Sequence, residues 1–163
     1  MAHPQLEAIL ARFVARGGGW VIVQWVLLLA VLALGPAGRE GWGCAWATTL
    51  LSSVLGIAGA GLGLAGVLAL DCNRTGFPRP NEDSHLVQGG VYGIVRHPLY
   101  ASVILLAAAW GLLWESSAAM AGAGLLAVFL DRKARCEEQW LREKFPEYAA
   151  YERRVKRLIP WVY

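Results

Sequence analysis

A chain of 163 residues has the length of a single domain. Only 17 % of it is charged and 56 % is hydrophobic, whereas a water-soluble domain carries about 25 % charge, so lipid must wet much of this surface. The net charge of +3 does not signal nucleic acid, because the basic residues gather at the chain's ends and in one loop, as membrane topology requires.

Residues 17 to 38, centred on WVIVQWVLLLAVLAL, form the first uncharged stretch, and residues 41 to 70 form the second. Each can cross a hydrocarbon core about 30 Å thick, which takes about 20 helical residues. The second has length to spare, so it is expected to tilt, bend or protrude. Arg12, Arg16, the apolar run and Ala33-Leu34-Gly35 loosely resemble a cleavable signal peptide. Cleavage there would leave three spans and scatter the basic residues over both faces.

Residues 61 to 66 read GLGLAG, a literal match to the dinucleotide fingerprint. That motif needs a strand before it and a helix after it. Here it lies in an uncharged apolar run without strand alternation, where a phosphate would sit in hydrocarbon. Gly59 and Gly63 instead form a small-xxx-small pair that lets two helices approach closely.

After a loop at 71–98, Leu99–Trp114 and Ser116–Leu130 are both apolar and are separated only by Glu115. One helix over both would be about 48 Å long at about 1.5 Å per residue, too long for one crossing. Two short crossings joined by a turn at Trp114-Glu115-Ser116-Ser117 fit better, giving a hairpin over 99–131 and four spans in all. Arg12, Arg16, Arg74, Arg79, Arg96 and the basic residues from Arg132 to Arg157 then share one side, opposite Arg39 alone. The positive-inside rule places that side, with both termini and the central loop, in the cytoplasm.

The expected fold is therefore an all-α polytopic membrane bundle, one domain over 1–163, ending in a cytoplasmic amphipathic segment at 132–163. In that segment Leu141, Phe145, Tyr148, Tyr151 and Val155 recur every three or four residues, as in a helix lying on the membrane interface. Pro146 should break it and start a second helical piece. Cys44, Cys72 and Cys136 are odd in number and lack C-x-x-C spacing, so neither a disulfide framework nor a zinc site is expected.

Two places carry candidate chemistry. In RHPLY, Pro98 suits the first position of a helix and His97 its N-cap. That end attracts a carboxylate or phosphate. Tyr100 lies one turn in, roughly on the side of Arg96 and His97. The same residues also suit an interfacial anchor, with arginine snorkelling and tyrosine in the aromatic belt. The second place holds Glu137 and Glu138 among Arg132, Lys133, Arg135 and Arg142, where pairing of Lys133 with Glu137 or of Glu138 with Arg142 is the plain alternative. The hairpin brings both places together, with Tyr92, at the lipid boundary. Carboxylates, aromatic faces and a helix N-terminus in one cluster suit a zwitterionic, cationic cofactor.

These residues resemble a known family, the integral-membrane methyltransferases typified by isoprenylcysteine carboxyl methyltransferase, to which phospholipid N-methyltransferases are more distantly similar. The resemblance covers about half the chain: Asn81-Glu82, HLVxxGVYxxxRHPxY from His85 to Tyr100, the hairpin, Glu137-Glu138, and FxEYxxYxxRVxRxIP ending at Pro160. It implies S-adenosylmethionine as cofactor, with contacts at His85, Leu86, Val87, Tyr92, His97, Pro98, Leu99, Tyr100, Glu137 and Glu138. The alternative alignment sets the family's histidine one place earlier, where this chain has Ser84. Lys133 or Arg135 would meet the acceptor carboxylate, and His97, Tyr100, Arg135 and Glu138 would carry catalysis. Phe145-Pro146 departs from the family's usual Phe-Gly.

The reaction so implied is methyl transfer to a lipid-borne or prenylated carboxylate entering from the bilayer, without a metal. An amine headgroup or small hydrophobic acceptor is the first alternative, and a non-enzymatic membrane scaffold the second. The membrane would be a bacterial inner membrane or one of endoplasmic-reticulum type.

Overall fold

The computed structural model describes Glu7, Phe13, Val14 and residues 17–70 and 85–163. Arg12, Arg16, Cys72, Arg74, Arg79, Asn81, Glu82 and Ser84 lie outside the described residues. Within them the chain is all-helical: α1 Gly18–Ala37, α2 Ala45–Leu70, a 3-10 turn at Gly90–Gly93, α3 Pro98–Leu113, α4 Ser117–Lys144 and α5 Tyr148–Arg154.

Helices α1 and α2 are long and apolar enough to cross a bilayer. Only 11 % of each apolar window is buried, which sets them apart from the core helices of a water-soluble protein. α3 is apolar but shorter, at 16 residues. α4 runs 28 residues, apolar as far as Leu130 and polar from Asp131 onward.

The hairpin turn forms where the sequence placed it. Trp114 ends α3, and Ser116 caps α4 by accepting a bond from the Ala119 amide at 3.1 Å. Glu115 between them takes a left-handed φ of 48°, uncommon for a residue with a Cβ. In the sequence it is only a charge between two apolar runs. In the fold it is buried and accepts bonds from the Trp42 amide at 3.0 Å and the Thr48 hydroxyl at 2.9 Å. It thereby ties the hairpin tip to the loop joining α1 and α2.

The core lies between α1, α3 and α4, around Val31, Ala107, Ala123, Leu126 and Leu130. Pro36 near the end of α1 has no N–H to offer the Leu32 carbonyl. The indole of Trp110 on α3 donates to that carbonyl instead, at 3.2 Å. A neighbouring helix thus satisfies a backbone group that lipid cannot.

α2 packs on α3 through its small residues. Ser102 donates to the Gly59 carbonyl at 2.6 Å, and Gly66 faces Leu99 and Pro98. GLGLAG is therefore a packing surface, as its apolar setting indicated. A Cβ on Gly63 would fall 2.5 Å from the Ser102 hydroxyl, whereas one on Gly61 meets nothing within 4 Å. Gly63→Ala should cost about 1–3 kcal/mol by overpacking. Gly61→Ala should be neutral or stabilising by up to about 1 kcal/mol through helix propensity. Thermal unfolding of the two variants in nanodiscs checks the difference.

The end of the chain corrects two expectations. Pro146 does separate two helices but does not start the second: α4 ends at Lys144, Pro146 lies in the turn, and α5 opens at Tyr148. The apolar stripe also turns inward: Tyr148, Tyr151 and Val155 are buried, with Leu86, Leu141 and Phe145 packed on them. That stripe does not lie on lipid, because it covers the segment that leads into α3.

Candidate active site

The RHP segment is held from both sides. Pro98 opens α3, and His97 is its N-cap, with no side chain bonded to the free amides of that end. Val95 pairs with Lys156 in a single parallel bridge. The Arg96 and His97 amides donate to the Lys156 and Arg157 carbonyls at 2.8 and 3.0 Å. The chain beyond α5 thus clamps the entry to α3, and α4 brings the two glutamates against it.

Glu138 is the hub. Its side chain is fully buried. Oε1 accepts from Arg96 Nε at 3.0 Å, Arg96 Nη2 at 2.8 Å and Arg157 Nε at 2.9 Å, and lies 3.2 Å from His97 Nε2. Oε2 accepts from Arg157 Nη2 at 2.7 Å. Arg96 also donates to the Glu152 and Val155 carbonyls, so one guanidinium staples α4, α5 and the N-cap together. Burial pushes the Glu138 carboxyl up, but the hydrogen bonds from His97, Arg157 and Arg96 outweigh it and hold the group far below the usual carboxylate range. The same contact drives the Arg157 guanidinium up against a smaller opposing effect of burial.

Glu137 differs. Its side chain keeps 14 % exposure against none for Glu138. The Tyr100 hydroxyl donates to it, and His97 Nδ1 lies 3.6 Å away. Burial raises its carboxyl above the usual range, against the pull of His97, Tyr100 and Lys133. The His97 imidazole is stacked on the Tyr100 ring, with centroids 5.4 Å apart and planes 5° from parallel. His97 therefore bridges the two carboxylates while presenting an aromatic face.

Lys133 completes the cluster. It is buried, its ammonium donates to Gln24 of α1 at 2.7 Å, and it lies 5.1 Å from the centre of the Tyr100 ring. Its expected pairing with Glu137 is not among the close ion pairs, though the charge of Glu137 acts on it against the effect of burial. The expected contact of Glu138 with Arg142 is present and long, at 3.8 Å. Arg135 lies elsewhere: it is 54 % exposed and bound to Asp131 at 2.9 Å. Of the two candidates for the acceptor carboxylate, Lys133 is the one beside Tyr100.

The remaining candidates divide. Tyr92 is buried, and its hydroxyl is pushed up by burial first, with smaller contributions from Tyr151 and Glu137. Its carbonyl accepts the Tyr151 hydroxyl at 2.6 Å. Leu86 packs on the tyrosines of α5, Val87 is half-buried and His85 is exposed. The side chains of Pro98 and Leu99 face Gly66 of α2 and support the helix start from behind. Among the site candidates, sequence reading passed over Arg157 and Gln24. Arg157 stood in the RVxR ending, and Gln24 is the one polar side chain inside α1. That isolation was a usable signal.

These residues fit S-adenosylmethionine. The cofactor carries a sulfonium, an ammonium, a carboxylate and ribose hydroxyls. The site offers a partly exposed carboxylate at Glu137 for a cation and a helix N-terminus without a side-chain cap for an anion. The Tyr148 hydroxyl, buried and without a hydrogen-bond partner, adds an unused polar group near Glu138.

The chain is 31 % identical to the cobalt-zinc-cadmium resistance protein CzcN of Cupriavidus metallidurans, over 98 % of this chain and 71 % of that one. It is 29 % identical to the nickel-cobalt-cadmium resistance protein NccN of Alcaligenes xylosoxydans xylosoxydans, over 98 % of this chain and 70 % of that one. A family model described as phospholipid methyltransferase matches residues 47–148, a stretch that holds most of α2, the RHP segment and the glutamate pair. The chain belongs to the phospholipid methyltransferase family, within the isoprenylcysteine carboxyl methyltransferase-like superfamily of membrane methyltransferases.

Proposed function

We propose that this protein is an integral-membrane methyltransferase that moves a methyl group from S-adenosylmethionine to the carboxylate of an isoprenylcysteine-like or other lipid-borne acceptor. Its four spans are α1, α2, α3 and the apolar part of α4, with the termini and the site on the cytoplasmic side of a bacterial inner or endoplasmic-reticulum-type membrane. The observation that carries this is the division between the two glutamates. Glu138 is taken up by Arg96 and Arg157, whereas Glu137, beside Tyr100 and His97, keeps partial exposure a turn or two past the point where α4 changes from apolar to polar.

The bound cofactor supplies an electrophilic methyl on sulfur. A carboxylate acceptor is ionised near pH ~7 and needs no base. The chain's task is alignment and exclusion of water. Glu137 would hold the donor's positive end with Tyr100 and His97 beside it, and Lys133 would steer the acceptor anion.

An amine acceptor is the second reading, favoured by the description of the matching family. A protonated amine must lose a proton before transfer, and Glu137, whose carboxyl burial raises, is the group placed to take it. The printed names of the two relatives concern metal resistance; carried to this chain, they suggest metal stress as a setting and specify no acceptor.

Protein in nanodiscs, given methyl-tritiated S-adenosylmethionine with N-acetyl-S-farnesylcysteine or phosphatidylethanolamine, separates the readings. Counts released as methanol by mild base mark a methyl ester, and base-stable lipid counts mark an N-methyl group. Donor binding without either product from these or from total membrane lipid would leave the scaffold reading.

A further inference from the structure

The apolar stripe of α5 is buried in the protein, and the exposed apolar side chains after α4 gather in the last six residues, 158–163, instead. Ile159, Trp161 and Val162 are exposed by 53, 87 and 72 %. They sit on a closed turn, not a loose strand: the Leu158 and Ile159 amides donate to the Tyr163 carbonyl at 2.7 and 2.8 Å, and the Tyr163 amide donates back to Ile159 at 3.0 Å. Trp161 holds a left-handed φ of 61°, unusual for a bulky residue, and its side chain stands outward. Three large apolar side chains presented together on a fixed turn need a partner.

The depth of this turn is fixed by Asp131, the first charged residue after the apolar run of α4. The Tyr163 hydroxyl donates to Asp131 at 3.0 Å, and Arg157 Nη1 donates to it at 3.2 Å. Arg132, Arg135 and Lys156 are exposed around the same level. Tryptophan and aliphatic side chains ringed by cations at the point where a helix leaves the hydrocarbon match an anionic lipid surface.

We propose that the 158–163 turn is a lipid-contact site, seated in the interfacial layer of an anionic bilayer. Its seat bears on the active site, because the same strand carries Arg157 to Glu138 and the Lys156 and Arg157 carbonyls to the RHP amides. This rests on α4 crossing the membrane, but not on which acceptor is methylated.

The test uses the full chain with Cys44→Ser, Cys72→Ser and Cys136→Ser, spin-labelled singly through Trp161→Cys, Val162→Cys, Glu147→Cys or Leu125→Cys, in nanodiscs. Collision with oxygen reports lipid, and collision with a soluble nickel chelate reports water. Labels at 161 and 162 should favour oxygen severalfold over the label at 147, more so in phosphatidylglycerol than in phosphatidylcholine. Labels at 161 and 162 as open to nickel as 147, or shielded from both reagents by a protein partner, would overturn the proposal while the label at 125 still reports lipid. Nickel access at 125 would overturn the membrane placement of α4 itself.

Discussion

Glu138→Gln should lower the stability of the fold by about 3–5 kcal/mol, the penalty for leaving buried charges without their partner. Arg96, 9 % exposed, loses its anion outright, and Arg157, 15 % exposed, is left with Asp131 alone at 3.2 Å. Arg96 keeps its backbone carbonyls, but those are neutral and do not compensate its charge. The sign of the pH dependence follows from the direction of the shift. The folded protein holds Glu138 far below its ordinary value of 4.5, so its contribution is complete above that value. It is lost as pH falls beneath it, because the unfolded chain takes the proton first. Thermal unfolding in nanodiscs as a function of pH should show a steep acid loss in the native protein and a lower, flatter curve in the variant.

Glu137→Gln should do the opposite on both counts. The folded state raises the Glu137 carboxyl through burial, so its ionised form opposes folding, and a neutral amide removes that cost. Stability should be equal or higher. Donor affinity should instead fall roughly 10- to 150-fold, the equivalent of about 1.5–3 kcal/mol for a hydrogen bond to a charged partner. Calorimetry with S-adenosylhomocysteine reads that loss directly. If the two variants behaved alike, with both unfolding or both merely weakening binding, the separate roles of the glutamates would be refuted.

Much of the architecture was legible because lipid leaves few choices. Long uncharged runs marked α1 and α2, Pro98 marked a helix start, and Glu115-Ser116 marked the tip of the hairpin. The pairing of RHP with the glutamates followed from the hairpin alone, since its two ends must meet. What was hidden depended on which way side chains point. The stripe from Leu141 to Val155 has the same period whether it faces lipid or Leu86, and only tertiary packing decides. Lys133 and Arg135 are two residues apart on one helix, so they face different sides, but the facing helix that distinguishes them is α1, through Gln24. Adjacent glutamates are equivalent in a sequence. The clamp that makes one a buried hub and leaves the other partly exposed depends on Arg157, brought back to RHP by a single backbone bridge from a segment about 60 residues away.

The most direct test of the central claim is calorimetric titration of the protein in nanodiscs with S-adenosylmethionine and S-adenosylhomocysteine, beside Glu137→Gln and His97→Ala. Saturable binding of both ligands by the native chain, weakened at least tenfold in each folded variant, is the expected result. No binding by the folded native chain, or binding unchanged by both substitutions, would contradict the assignment of this cluster as the methyl-donor site.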